Sequence, residues 1–123
     1  MLIRSQDKKV LCNYNSGIVT CFEKYDYEVI NNSMVPTKIE GYNIFFSNNG
    51  NEILLGVYST VEKAVKVLDM IENAYCTMKQ NECTLSISFE TIAMQNSEIF
   101  EAFLKECRKV FIYQMPQDEE VGV

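Results

Sequence analysis

Tyr42-Asn43-Ile44-Phe45-Phe46-Ser47, Asn48-Asn49-Gly50-Asn51 and Glu52-Ile53-Leu54-Leu55-Gly56-Val57-Tyr58 follow one another in the stretch that decides the fold. Two runs rich in aromatic and β-branched residues flank an Asn-Gly pair, whose residues tolerate the positive φ angles of a tight hairpin turn. The pattern predicts an antiparallel hairpin. Directly after it, Ser59-Thr60-Val61-Glu62 reads as a capping box, with Ser59 accepting from the Glu62 amide and the Glu62 carboxylate reaching back. Val61, Ala64, Val65, Leu68, Ile71, Tyr75 and Met78 then recur at helical spacing, and Glu62 and Lys66 stand four apart on the other side. This predicts a helix from about Thr60 to Thr77.

Working back toward the N-terminus, Met1 to Ser5 reads as a first strand, Gln6-Asp7-Lys8-Lys9 as a turn and Val10-Leu11-Cys12 as a second strand. Asn15-Ser16-Gly17 marks another turn. From Ile18 to Glu23 the alternation is strand-like, and Tyr25 to Ile30 continues or follows it. Asn31-Asn32-Ser33 and Pro36 predict a loop over 31–37. Toward the C-terminus, Cys83, Leu85, Ile87 and Phe89 alternate with Thr84, Ser86 and Ser88, which predicts a half-buried strand. Ile99, Phe100, Phe103, Leu104 and Cys107 share a face of a second helical pattern, with Glu98 and Glu101 near its start and Lys105, Arg108 and Lys109 near its end, as the helix dipole favours. Val110 to Met115 reads as a last strand closed by Pro116, and Gln117 to Val123 shows no pattern that would bury anything. The resulting expectation is an α+β domain over 1–115, a mainly antiparallel sheet of sequential strands covered on one face by two helices, followed by a frayed acidic tail over 116–123.

Composition narrows the function classes. The 123 residues contain 17 Asp and Glu against 11 Lys and Arg, a net charge of −6, and half of that charge, Asp118, Glu119 and Glu120, falls in the last six residues. Counterion release on a phosphate backbone is therefore a poor source of affinity, and direct nucleic-acid binding is disfavoured. No apolar run approaches the roughly 20 residues that span a bilayer, and the N-terminus lacks a signal-peptide pattern, so a cytoplasmic chain without membrane contact is expected.

Histidine is absent, which removes the usual general base, nucleophile activator and metal ligand. Cys12, Cys21, Cys76, Cys83 and Cys107 are odd in number and lack the short spacing of a zinc site; Cys12, Cys21 and Cys107 fall in apolar patterns, as small buried hydrophobes do. The five glycines are scattered, so no phosphate loop is formed, and the carboxylates show no marked pair. No catalytic residue, metal site or cofactor is expected. The only arginines, Arg4 and Arg108, together with Lys8 in the first turn, are the positions where an anionic ligand would be held, because guanidinium groups recognise phosphate and carboxylate bidentately.

Met1–Leu11 (MLIRSQDKKVL), Gly56–Ile71 (GVYSTVEKAVKVLDMI) and Tyr113–Val121 (YQMPQDEEV) together resemble a family of short proteins of Gram-positive bacteria of the Firmicutes type and of their phages and mobile elements. The resemblance covers about the first 78 residues and the C-terminal ten, and it brings no catalytic or binding residue with it. It implies a small cytoplasmic accessory or inhibitory protein that acts by binding a host protein or a host signalling molecule. A non-enzymatic module contacting a host protein is thus the leading expectation, and sequestration of an anionic metabolite or nucleotide signal the alternative. Short strands with few guarding charges also predict a twofold dimer, through the first strand, whose one charge is Arg4, or through the uncharged last strand.

Overall fold

The computed structural model describes residues 1–93, 98 and 111–122. Seven elements follow in order: β1 (Leu2–Arg4), β2 (Leu11–Asn13), β3 (Ile18–Ile30), β4 (Ser33–Asn48), β5 (Asn51–Tyr58), α1 (Val61–Ala93) and β6 (Ile112–Gln114). The class is α+β with mostly antiparallel pairing. In place of one sheet of sequential strands there are two three-stranded sheets, β2-β1-β6 and β3-β4-β5. The first strand is consequently central: β1 runs antiparallel to β2 and parallel to β6, which leaves β6, of the two strands expected as open edges, at an edge.

The hairpin forms as its Asn-Gly pair dictates, with Asn49 at φ 49° and Gly50 at φ 82° between β4 and β5. The expected loop over 31–37 is instead another two-residue turn. Asn31 and Asn32 both take positive φ, 51° and 62°, and β4 begins at Ser33. Asn supplies that conformation at little cost, and Pro36 is tolerated because no third strand needs an amide there. β3 and β4 thereby become one long ribbon.

Only one main helix stands among the described residues, where two were expected. The second pattern, 98–109, lies outside them except for Glu98. The predicted strand at Cys83–Phe89 is part of α1. No Gly or Pro occurs between Val57 and Met115, and lengthening an existing helix needs no new nucleus, so the alternation there does not end it. The helix also starts one residue later than its capping box predicts: the Lys63 amide donates to Thr60 Oγ1 (3.3 Å), making Thr60 the cap.

Ser59 is occupied elsewhere, and this overturns the frayed tail. Its amide donates to Asp118 Oδ1 (2.8 Å), its hydroxyl donates to the same carboxylate, and Lys63 Nζ meets Asp118 Oδ2 at 3.0 Å. Met115 and Val121 are buried in the core with Ile3, Ile44, Leu55, Tyr58 and Ile71. Gln6 ties the three parts together. Its side-chain amide accepts from Val57 N (2.8 Å) and donates to Pro116 O (2.9 Å), while its own carbonyl accepts from Gln117 Nε2 (3.0 Å).

The bonds from Ser59 and Lys63 hold the Asp118 carboxyl below the ordinary aspartate value of 3.8, and those from Ser5 and the Lys9 amide do the same for Asp7. A lowered folded-state value gives stability that is present above the unfolded value and lost as pH falls through the folded one. The difference in melting temperature between wild type and Asp118→Ala is therefore expected to be constant above about pH 5 and to shrink below about pH 4. Melts between pH 7 and pH 2 test this; a difference undiminished at pH 2 contradicts it.

Candidate functional site

Of the three residues expected to hold an anion, Arg4 and Lys8 are among the described residues. Arg4 ends the central strand β1, opposite Leu11 and Gln114. Its Nε is shielded from solvent with no hydrogen-bond partner among the described residues. Lys8 is exposed in the β1–β2 turn at φ 63°, where its amide donates to Ser5 O. Arg108 lies outside the described residues.

Two clefts offer themselves instead. One, of about 330 Å³, lies where Tyr14, Gly17, Ile18 and Val19 meet Leu68, Ile71 and Glu72 of α1. Burial and the nearby Glu72 carboxylate push the Tyr14 hydroxyl above its ordinary value. Among the described residues no cation lines this cleft. Burial raises the Cys12 and Cys21 thiols and disfavours their reactive thiolate form.

The other, an open groove of about 460 Å³, runs along β3, β4 and the start of β5 and is lined by Phe22, Glu23, Lys24, Tyr25, Tyr27, Asn43, Phe45 and Glu52. Strand alternation builds its Phe22, Lys24, Asn43 and Phe45 wall, while Glu23, Tyr25 and Tyr27 alternate to the other side of β3 and line the groove where the ribbon leaves the sheet. Val19 and Cys21 of β3 pack against the core, so Ile18, Thr20 and Phe22 point to the opposite, outer face, paired there with Ser47, Phe45 and Asn43 of β4. The Phe22 and Phe45 rings lie 6.1 Å apart on it. Ile18, Phe22 and Leu54 are exposed, and no helix among the described residues covers them. Two polar atoms on this face, Thr20 Oγ1 and Asn43 Oδ1, are shielded from water with no partner among the described residues.

Protein-family models, curated proteins and solved structures were all compared with the chain, and none matches it. The site therefore rests on its own geometry. Among the described residues its charge is that of an acceptor for cations: Glu23 and Glu52 line the groove, and the one cation described there, Lys24, is paired with Glu40 at 3.5 Å.

No motif in the sequence marks these aromatics as a site. A signal of another kind is present, because the run from Ile18 to Phe22 is apolar on both of its alternating sides, as is usual for a strand covered on both faces. What the sequence does not carry is which of the two coverings comes from within the chain.

Proposed function

We infer that the protein is a non-enzymatic binding module, of the accessory or inhibitory kind the resemblance implies, and that it contacts a host protein through the groove on the outer face of β3-β4-β5. The observation that carries this reading is Phe22, 49% exposed and 6.1 Å from Phe45, beside Thr20 Oγ1 and Asn43 Oδ1, which have no hydrogen-bond partner among the described residues. Exposed aromatic side chains in contact with one another supply the apolar centre that protein interfaces are built around. The groove's carboxylates select a partner surface that presents an apolar side chain beside Arg or Lys.

Affinity capture from a Gram-positive lysate, wild type against Phe22→Glu, tests it. Phe22 is exposed, so the variant is expected to keep its circular dichroism and to hold the captured protein about 30-fold more weakly, as loss of a central aromatic does. Equal retention, or no protein captured by wild type, overturns the reading. Sequestration of an anionic ligand draws its support from the shielded Arg4 Nε. Calorimetry against a panel of nucleotides would then show heat that Arg4→Gln abolishes, and a flat panel removes that alternative.

A further inference from the structure

Beyond Gly41 the β3–β4 ribbon leaves the rest of the sheet. β5 ends at Tyr58, opposite Tyr42, so residues 24–40 form a two-stranded arm without a third strand. Such ribbons are marginal in water unless a further strand or layer supports them. Register sorts the arm's side chains onto two unlike faces. One has Asp26 opposite Lys38, an ion pair at 3.7 Å, and Glu28 opposite Val35. The other has Tyr25 opposite Ile39, Tyr27 opposite Pro36 and Val29 opposite Met34, with no charge among them.

This second face is open: Tyr27, Val29 and Met34 are 54%, 73% and 69% exposed. Both irregularities of the ladder place their extra residue, Glu40 or Thr37, on β4, so β3 alternates without interruption. The apolar face is therefore the side on which Val19 and Cys21 reach the core, continued into solvent. The one carboxylate at its base, Glu23, accepts from the Tyr25 hydroxyl.

We propose that this face docks a second copy of the chain, the two arms packing face to face across a twofold axis. Charge argues for a second copy as the occupant. Each chain carries −6, yet the six opposed side chains are uncharged and Glu23 stands only at the base of the face, bonded to Tyr25, so the centre of the contact brings no like charges together. Size argues for it too. At these exposures the six side chains offer about 600 Å² per copy, and the resulting total of about 1,200 Å² reaches the lower limit of specific interfaces. An axis through the Tyr27–Pro36 pair lays Val29 and Met34 of each arm over Tyr25 and Ile39 of the other, the self-complementary arrangement a twofold contact requires. The contact differs from the edge pairing expected from sequence, since it uses a sheet face and neither β1 nor β6.

Sedimentation equilibrium of the full chain between about 1 and 100 µM tests the proposal. The mass is expected to rise from 14.2 kDa toward twice that value. The double variant Val29→Lys/Met34→Glu places opposite charges on a cross-strand pair, which keeps the ladder supported while spoiling the shared face. It is expected to stay at 14.2 kDa at every concentration with unchanged circular dichroism. Tyr25 and Tyr27 belong to both this face and the groove, whereas Val29 and Met34 line only the face, so the double variant separates failure here from failure of the capture experiment. A wild type that remains at 14.2 kDa, or a folded double variant that still dimerises, overturns the proposal. So does a monomeric wild type that captures a foreign protein through Val29 and Met34. Should the variant unfold, hydrogen exchange of wild type decides: slower exchange in the arm as concentration rises supports the dimer, and exchange that stays constant while the mass rises refutes it.

Discussion

A chain ended after Gln117 is expected to lose at least about 2 kcal/mol of stability, from the burial of Val121 alone. Val121 is 3% exposed in the core cluster, although the stretch it stands in is otherwise Asp118, Glu119, Glu120, Gly122 and the terminal Val123. The same truncation removes the Asp118 carboxylate. The Ser59 amide then loses its acceptor just before α1, and Lys63 loses its ion pair. Guanidinium unfolding at pH 7 measures the sum, and two single variants divide it. Val121→Ala is expected to reproduce the pH-independent part, and Asp118→Ala the part that fades in acid. A truncated chain with an unchanged midpoint and slope would mean that these contacts contribute nothing in solution.

Gly17→Ala is expected to cost about 3 kcal/mol, the upper end of what forcing a methyl into a packed site does. Gly17 connects the short 3-10 turn at Tyr14–Ser16 to β3, and its backbone is extended, so conformational freedom is not the reason for glycine here. Space is the reason. A Cβ at this position would run into the Ser47 carbonyl oxygen and lie 2.5 Å from the edge of the Phe46 ring. Phe46 is buried in the core, and the Ser47 carbonyl belongs to β4, so neither yields without disturbing the ladder. Gly50→Ala is the contrast. Nothing lies within 4 Å of a Cβ there, and only the left-handed φ of 82° opposes the change, at about 1 kcal/mol. Denaturation of both variants tests the distinction: equal losses would show that close approach is not what limits Gly17.

The sequence by itself determined the parts whose causes lie within a few residues. Positive φ at Asn49 and Gly50, the alternation along β3 and the apolar stripe that starts α1 each depend on the backbone preferences of adjacent residues, and each stands where the sequence puts it. Where a neighbour far along the chain competes, local reading goes astray. Ser59 is taken by Asp118, 59 positions away, and the cap passes to Thr60. A single Val121 among acidic residues carries no periodic signal, yet one well-placed apolar side chain is enough to anchor the tail. The same holds for the candidate site. Alternation identifies Phe22 and Thr20 as sharing a face, but only the topology shows that nothing in β2-β1-β6 or α1 covers it. β1 becomes a central strand because Ile3 pairs with Cys12 on one side and with Tyr113 on the other. Strand pairing and burial are properties of residues brought together over long loops, and the closure of those loops is decided by the whole packed core, which no local run of the chain contains.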